Sequence, residues 1–351
     1  MNGERMRLTI CGGGNLGHVI AAFAAHYGYE VQLLTRHPER WSNDITIDTP
    51  EGTSITGHIS RISNHPEEVI PNADIILLCL PGYGIADCLR SIAPLLSPQG
   101  GKLGVRAVGS VVSSTGFFFE ALKILPANTP LFGFQRVPFI ARVAEYGHSA
   151  HLLGYKPQLH MAVEHMSDPQ PFQEEIAKLF RTEVVLLNSH YEVSLTNSNP
   201  LLHPSRLYDL WSDWHEGIVY SQVPMFYEEW TERAAQLYID MDNELQQLLQ
   251  VLPVRPGSIP TVLEYYESYD AVSLACKLRS IEAFKGIPAP MQPVANGFVP
   301  DFHSRYFTED FPYGLAIVRR LMHEHQIPAP TIERIYQWGE AFSVISRRQR
   351  K

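Results

Sequence analysis

A glycine-rich turn between an apolar run and a stretch of small residues constrains this chain more than any other feature. Residues 8–11 predict a buried strand, and residues 12–17, with the letters GGGNLG, follow directly. Residues 19–27 contain four alanines and end at Gly28, which is typical of a helix and its C-terminal cap. A strand, a GxGxxG turn and a helix in this order predict the start of a dinucleotide-binding fold.

The residues of this turn have separate predicted roles. Gly12 permits the tight turn out of the strand, Gly14 lets backbone approach a pyrophosphate, and Gly17 lets helix and strand pack closely. Asn15 and Leu16 open the helix, whose free N–H groups and positive dipole end favour phosphates. We expect all five residues to bind the cofactor; a glycine turn without a nucleotide is the alternative.

The end of the second predicted strand, residues 30–34, indicates which dinucleotide binds. Thr35 and Arg36 follow it, at the place where NAD enzymes hold the ribose 2′-hydroxyl with an acidic residue. Glu30 lies at the opposite end of this strand. Because Arg36, with Arg40 one turn on, can pair with a 2′-phosphate, we expect NADP(H) to be preferred over NAD(H). A solvated surface Arg36 is the alternative.

The rest of the first half alternates strands and helices, which predicts a doubly wound α/β sheet. Residues 73–80 form a continuous apolar strand that stops at Pro81. Ligands of such sheets gather beyond the carboxyl ends of the strands, so Pro81 is expected to border the cofactor, although a purely structural turn remains open. A helix is predicted over 86–93 and strands near 102–108 and over 131–134, 160–163 and 183–187.

From about residue 188 the strand pattern stops. Apolar residues recur at helical spacing in 231–252, 268–285, 312–325 and 331–346. We therefore predict a Rossmann-type α/β domain over residues 1–187 and an all-α domain over 188–351. The long helices are expected to form a homodimer interface or a lid over the substrate, and 253–260 and 288–300 are expected to be mobile loops.

Composition favours an intracellular enzyme. The formal net charge of -9 in 351 residues argues against nucleic acid or an anionic membrane as partner, and the basic tail 347–351 is interpreted as a solvated terminus. No apolar leader precedes the first strand and no run is long enough to span a membrane. The four cysteines lack CxxC spacing, which fits reduced thiols and a cytoplasmic location. They are Cys11, Cys79, Cys88 and Cys276.

Two segments of the second half carry more specific information: 197–206, with the letters NSNPLLHPSR, and 304–314, with the letters SRYFTEDFPYG. With the glycine turn and the segment 137–147, they make nearly the whole chain similar to the opine dehydrogenases, the octopine and nopaline dehydrogenase family. That family usually has tryptophan where Phe139 stands. The resemblance implies a helical second domain similar to the C-terminal domain of 6-phosphogluconate dehydrogenase. The glycine turn alone would not separate this family from other β-hydroxyacid-type dehydrogenases.

The resemblance also implies a reaction. Members of the family transfer a hydride from the nicotinamide to the imine formed between a 2-oxo acid, often pyruvate, and the amino group of an amino acid. The acid–base role then falls on His203, its carboxylate partner is Asp310, and Arg305 holds a substrate carboxylate. Histidine titrates near neutral pH, a carboxylate on its other nitrogen fixes the tautomer, and a guanidinium grips a carboxylate with two hydrogen bonds. Asn199 is a candidate substrate-binding amide, or simply a turn former.

Each of these residues also has a plain structural reading. His203 precedes Pro204 and is also suited to the start of a helix. Asp310 is suited to a helix N-cap, and Arg305 can pair with Glu309. No metal site is expected, because residues 323–325 lack the HExxH spacing.

Two other function classes stay open at this point. An NADP-linked 2-oxo or hydroxy acid reductase, resembling ketopantoate reductase or glycerol-3-phosphate dehydrogenase, would use a lysine of the helical domain, and Lys277 and Lys285 are available. A non-catalytic NADPH sensor would not need the His, Asp and Arg set. The amino acid substrate is not determined by the sequence. Aromatic residues that either line its pocket or pack in the core are Trp211, Trp214, Tyr265 and Tyr266.

Overall fold

The structure is a computed structural model that describes residues 5–96, 107–114, 116–196 and 198–348, with side chains through residue 342. It divides into two units, Met1–Ser194 and Leu195–Lys351. The boundary expected from the sequence lies seven residues earlier. Three parts of the predictions fall outside the described residues: 102–106 of one strand, Asn197 of the NSNPLLHPSR segment, and 349–351 of the basic tail.

An eleven-stranded sheet organises the described part of the first unit. Its strands are β1 (Arg7–Cys11), β2 (Glu30–Leu34), β3 (Asp44–Asp48), β4 (Ser54–Ser63), β5 (Ile75–Leu78), β6 (Ala107–Ser110), β7 (Leu131–Phe134), β8 (Phe139–Glu145), β9 (Ser149–Tyr155), β10 (Gln158–Glu164) and β11 (Glu183–Leu186). Its helices are α1 (Asn15–His26), α2 (Pro66–Val69), α3 (Gly82–Ile92), α4 (Phe117–Ile124), α5 (Gln170–Phe180) and α6 (His190–Ser194).

The strand order is β11-β10-β7-β6-β5-β1-β2-β4-β3-β9-β8. The central strands from β7 to β4 run parallel, and β1 pairs with β5 on one side and β2 on the other. The chain therefore changes direction across the sheet at β1, and the carboxyl ends of β1, β2 and β5 border a switch point where ligands bind in this architecture. The predicted doubly wound α/β sheet is confirmed.

The outer ribbon of β3, β4, β8 and β9 is absent from the sequence predictions. β3 pairs antiparallel with β4, and β8 antiparallel with β9. β8 and β4 bury only part of one face, with irregular alternation, so they lack the continuous apolar run that identifies β1 and β5. The helix expected over 86–93 also begins earlier, at Gly82, because Pro81 is its N-cap residue.

The second unit is helical, as predicted. Its helices are α7 (Asn199–Trp211), α8 (Glu232–Leu249), α9 (Val262–Tyr265), α10 (Ala271–Ser280), α11 (Ala316–Glu324) and α12 (Pro330–Arg348). The expectation that strands end before residue 188 is wrong in one place. A hairpin of β12 (Met291–Val294) and β13 (Gly297–Pro300) occupies part of the stretch 288–300 that was expected to be a mobile loop.

The predicted helix over 312–325 begins only at Ala316, because Tyr306–Leu315 winds as a π-helix around Pro312. Side chains four residues apart lie next to each other in this segment. Phe307 and Phe311 are buried and stack with ring centroids 5.5 Å apart, and both contact the Trp338 ring of α12. The segment is thereby fixed to the hydrophobic core of the second unit.

Within the described ranges, no helix combines the length and apolarity that a membrane crossing requires. All four cysteines are free thiols.

Candidate functional site

The glycine turn connects β1 to α1, and each glycine answers a different steric demand. Gly12 has φ +122°, and a Cβ there would lie 2.6 Å from the carbonyl oxygen of Cys79. A Cβ on Gly17 would overlap the carbonyl oxygen of Gly12. Around Gly14, by contrast, a Cβ would meet nothing within 4 Å. Packing therefore excludes side chains at Gly12 and Gly17, whereas Gly14 faces the open space that a pyrophosphate requires.

The start of α1 has the properties of an anion site. Gly14 is the N-cap residue, no side chain caps the helix, and its first turn contains no acidic residue. The first N–H groups and the positive end of the helix dipole are thus available to an anion. The Asn15 Oδ1 accepts a 2.8 Å hydrogen bond from the backbone N–H of Val143 in β8, so this side chain anchors the helix start. Leu16 packs against the core.

A cavity of about 480 Å³ lies beyond the carboxyl ends of β1 and β2. Residues that line it include Gly12, Thr35, Arg36, Asn64, Pro81 and Tyr83. Arg36 is exposed and forms no ion pair within the described part of the chain. The backbone of Gly12 and the side chains of Thr35 and Arg36 line the same cavity, so the residues present fit a dinucleotide.

Two charged residues near β2 are engaged elsewhere. The Arg40 guanidinium lies 4.5 Å above the Tyr146 ring centroid, in a cation–π contact. Arg40 is also not among the residues that line the cavity. Glu30, at the other end of β2, pairs with Arg7 at 3.0 Å. The far end of β2 therefore offers a ribose Thr35 and Arg36.

The second candidate site lies in the helical unit. His203 lies in α7 and is only 8% exposed. Its Nδ1 is 2.7 Å from Oδ2 of Asp310, and its Nε2 is 2.9 Å from the hydroxyl of Tyr227. The structure thus brings together two predicted residues separated by 107 positions, and it adds a tyrosine.

These bonds determine the protonation pattern of the neutral ring. An ionised carboxylate only accepts, so Nδ1 carries the proton and donates it to Asp310. Nε2 then has a lone pair, and the Tyr227 hydroxyl donates to it. Burial raises the pKa of Tyr227 well above the ordinary value, which keeps the phenol protonated. The Tyr306 ring meets the His203 ring edge to face at 4.6 Å and shields it from water.

Tyr227 is the functional candidate that sequence reasoning missed. Arg206, 1% exposed, fixes its position by donating from Nε to the carbonyl oxygen of Phe226 at 2.9 Å and from Nη1 to Asp209 at 2.9 Å. The Tyr227 ring also stacks on Phe284 at 4.1 Å. The available signal in the sequence was Arg206, a charged residue three positions after His203 at the end of the NSNPLLHPSR segment. Its position in the sequence does not show that it bonds to the turn that contains Tyr227.

The other predicted substrate residues are placed differently. Arg305 has a side chain that is 83% exposed, and it forks onto Glu309 with N···O distances of 2.9 and 2.7 Å, as the structural reading anticipated. Asn199 is the first residue of α7. Asp310 lies inside the π-helix and is not an N-cap.

The lysines and aromatics considered for this unit have structural partners. Lys277 pairs with Glu267 at 2.6 Å and Lys285 with Glu282 at 2.5 Å, and all four side chains are at least one-third exposed. Trp211 and Tyr266 are buried, Trp214 donates to the carbonyl oxygen of Ile218, and Tyr265 is exposed. In the residues that the structure describes, no three His, Cys, Asp or Glu side chains form a metal-binding group.

Comparison with known proteins places both units. Residues 186–343 match the family described as NAD/NADP octopine/nopaline dehydrogenase, alpha-helical domain, and residues 8–101 match ketopantoate reductase PanE/ApbA. A tauropine dehydrogenase from Arabella iricolor is 30% identical over 95% of this chain and 90% of its own length. The solved octopine dehydrogenase with NADH and L-arginine has a TM-score of 0.82 at 23% identity, covering 96% of this chain and 89% of its own. The solved yersinopine dehydrogenase with NADP⁺ has a TM-score of 0.72 at 12% identity, covering 98% of this chain and 92% of its own.

Proposed function

The chain belongs to the opine dehydrogenase family, and from that premise we propose that it uses His203 and Asp310 to condense pyruvate, or a close 2-oxo acid, with an amino acid. The family establishes an NAD(P)-dependent oxidoreductase that acts on CH–NH bonds by reductive condensation of an oxo acid with an amino acid. The residues, the oxo acid and the cofactor preference are our proposal. The observation that carries it is the buried 2.7 Å contact between His203 and Asp310.

Imine formation needs one group that takes a proton and later returns it. The amino acid must lose a proton from its ammonium group before it attacks the carbonyl, and the hydroxyl of the addition product must gain one to depart as water. His203 can do both at Nε2, because Asp310 holds Nδ1–H and stabilises the imidazolium that forms. A nicotinamide cofactor supplies the hydride. The Tyr227 hydroxyl, hydrogen-bonded to Nε2, orients the imidazole for both proton transfers.

Arg305 is proposed to bind the carboxylate of the oxo acid. The fork that it forms with Glu309 is the geometry in which a guanidinium binds a carboxylate ion. The Arg305 side chain is 83% exposed, whereas that of Glu309 is 18% exposed, so the guanidinium is the accessible member of the pair and can be reached by a substrate carboxylate. Asn199, one turn before His203, is proposed to offer its amide to the same substrate.

The cofactor is proposed to be NADP(H) in preference to NAD(H). Octopine dehydrogenase has been solved with NADH and yersinopine dehydrogenase with NADP⁺, so both occur among the structural relatives. Support comes from Arg36, which lines the cavity at the end of β2 and is exposed, with no ion pair to any residue that the structure describes. In addition we propose that the chain works as a homodimer in the cytoplasm, which size-exclusion chromatography with light scattering and cell fractionation would test.

Oxidation of NADPH, followed at 340 nm, tests the proposed reaction. The protein is mixed with pyruvate alone and then with pyruvate and each of a panel of amino acids. Amine-dependent oxidation supports the proposal. Oxidation with pyruvate alone would indicate a simple 2-oxo acid reductase, and no oxidation with any combination would indicate a nucleotide sensor. His203→Ala in parallel separates this enzyme from contaminating activity.

A further inference from the structure

His18, the residue after the glycine turn, is used by neither site as described so far. It lies in the first turn of α1 with 0% exposure, and both ring nitrogens are bonded. Nδ1 is 2.9 Å from the carbonyl oxygen of Gly14, and Nε2 is 2.7 Å from the backbone nitrogen of Gly147 in the turn between β8 and β9. One imidazole therefore joins the N-cap of α1 to a turn 129 residues away.

The partners dictate the state of the ring. A backbone N–H can only donate, so Nε2 must present its lone pair to Gly147. Nδ1 then carries the single proton and donates it to Gly14, whose carbonyl oxygen also accepts the backbone N–H of His18 at 3.1 Å. The geometry requires a neutral ring with the proton on Nδ1. A second proton, on Nε2, would point at another donor.

The surroundings of the ring leave it little freedom. The His18 ring lies 4.0 Å from Trp41 and 5.2 Å from Tyr146, centroid to centroid. The same two side chains support the turn itself, because a Cβ on Gly13 would lie 2.8 Å from the Trp41 ring and 3.1 Å from the Tyr146 hydroxyl. Gly147 has φ +80°, and a Cβ there would overlap the carbonyl oxygen of Arg40. Movement of His18 would therefore move the glycine turn.

We propose that His18 is a positioning residue for the dinucleotide: in its neutral Nδ1–H form it holds the Gly14 carbonyl away from the phosphates, and protonation releases the turn. The inference rests on the proposed dinucleotide binding at this turn. The glycine pattern alone does not contain this requirement, which is that a buried, uncharged histidine lies behind the glycine turn.

The burial of the ring agrees with this requirement. Burial lowers the pKa of His18 below its ordinary value. Titratable groups on the two segments that pack against the ring are Glu145, Tyr146 and His148 of the β8–β9 turn, and His37, Glu39 and Arg40 of the β2–β3 connection. The Arg40 guanidinium lies over the Tyr146 ring, 4.5 Å from its centroid. Since the folded pKa is lowered, the competent turn is present above that pKa and is lost as the pH falls through it.

Equilibrium binding of NADH between pH 8.0 and 5.0, measured by its fluorescence, tests the proposal. NADH is the probe because the 2′-phosphate of NADPH has a pKa near ~6 and would titrate itself. Wild type should bind about tenfold more weakly per pH unit once His18 protonates. His18→Gln, whose Oε1 can accept from Gly147 without titrating, should lose this dependence. His65→Gln, at an exposed histidine between two residues that line the cavity, should behave like wild type.

A pH dependence that survives unchanged in His18→Gln, or none in wild type, would overturn the proposal. Failure of wild type to bind NADH or NADPH at any pH would instead overturn the proposed function. A second measurement uses only the wild-type protein, so its result does not depend on whether the variant folds. Nitrogen-15 NMR of labelled histidine should show His18 as the neutral Nδ1–H tautomer at pH 7, and an Nε2–H tautomer would contradict the inference.

Discussion

The candidate dinucleotide site of the first unit is made mainly from main chain, whereas the candidate histidine site of the second unit is made from side chains. Gly12, Gly14 and Gly17 contribute because they have no side chain, and all three lie within six consecutive residues. The second site depends on the functional groups of side chains from three separate segments: the imidazole of His203, the carboxylate of Asp310 and the hydroxyl of Tyr227. At Gly12 and Gly17 the backbone site tolerates no added Cβ, although it needs few particular functional groups. The side-chain site depends on each of its groups.

Both units also contain a buried histidine paired with a carboxylate at the same distance. His190 lies 2.7 Å from Glu164 in the first unit, and His203 lies 2.7 Å from Asp310 in the second. The two histidines differ in their remaining contacts. Nε2 of His203 is bonded to the hydroxyl of Tyr227, whereas the His190 ring packs against the rings of Phe118 and Tyr191. A His–carboxylate distance alone therefore does not identify an acid–base group. The substitutions below test how far this contrast holds.

His203→Ala should have the largest effect, a fall in kcat of about 10²- to 10⁴-fold, because the acid–base group is removed. Affinity for NADPH should not change. Steady-state kinetics and a separate binding titration check both parts. His190→Ala is the matched control and should cost far less; an equal loss of kcat in the two variants would remove the contrast between the pairs.

Arg36→Asp should lower the ratio of kcat/KM with NADPH to that with NADH by about tenfold to a hundredfold, because a hydrogen bond to a charged group contributes roughly 1.5–3 kcal/mol. Arg40→Asp makes the same charge change outside the cavity lining and should leave the ratio unchanged. If both cofactors suffered equally in Arg36→Asp, this arginine would have no role in their selection.

Arg305→Ala should raise KM for the oxo acid about tenfold with a smaller change in kcat, since one bidentate contact to the substrate is lost. Arg319→Ala breaks a comparable fork, to Glu333, and serves as the control. An unaltered KM for the oxo acid in Arg305→Ala would assign the arginine to structure.

Tyr227→Phe should reduce kcat by about three- to tenfold, the range of one lost neutral hydrogen bond of about 0.5–1.5 kcal/mol. Tyr306→Phe removes a hydroxyl from the ring that packs on the other side of His203 and should have a smaller effect on kcat. The comparison isolates the bond to Nε2. Equal kinetics in wild type and Tyr227→Phe would show that this hydroxyl only fills space.

The smallest effect concerns stability. Burial raises the pKa of Asp242 to about 6, while its carboxylate accepts the N–H of Val262 at the start of α9. A raised folded pKa means that stability falls as the pH rises from about 4 to about 6. Asp242→Asn keeps an acceptor without the charge and should gain on the order of 1 kcal/mol over wild type across that window. Tm measured at pH 4.5 and 7.5 checks the sign, with Asp240→Asn as the partly exposed control; a gain that does not grow with pH would contradict it.

The contrast between the two sites also explains what the sequence could predict. The glycine turn, β1, β2 and β5 are local patterns, since a continuous apolar run and three glycines at fixed spacing need no knowledge of distant residues. The switch point follows from the order of these strands. The ribbon of β3, β4, β8 and β9 could not be found in the same way, because its partly exposed strands are specified by pairing across the sheet.

In the helical unit, the pairing of His203 with Asp310 came from a family resemblance and not from spacing. Nothing in periodicity brings together two residues 107 positions apart. Tyr227 was missed because it lies in a turn that is held by the buried Arg206, and a buried arginine looks like a surface one in sequence. His18 could not be identified either, because the glycine pattern does not include it and its partner Gly147 lies 129 positions away.

The π-helix from Tyr306 to Leu315 carries three sets of contacts at an interval of four. Tyr306 and Asp310 meet His203, Phe307 and Phe311 enter the core, and Arg305 pairs with Glu309. Deleting one residue between Tyr306 and Asp310 would bring Phe311 to the place of Asp310 and Pro312 to the place of Phe311. In genetic terms, the length of this segment matters as much as its residues: a single-codon insertion or deletion here is expected to disturb the His203–Asp310 contact and the packing of the core together.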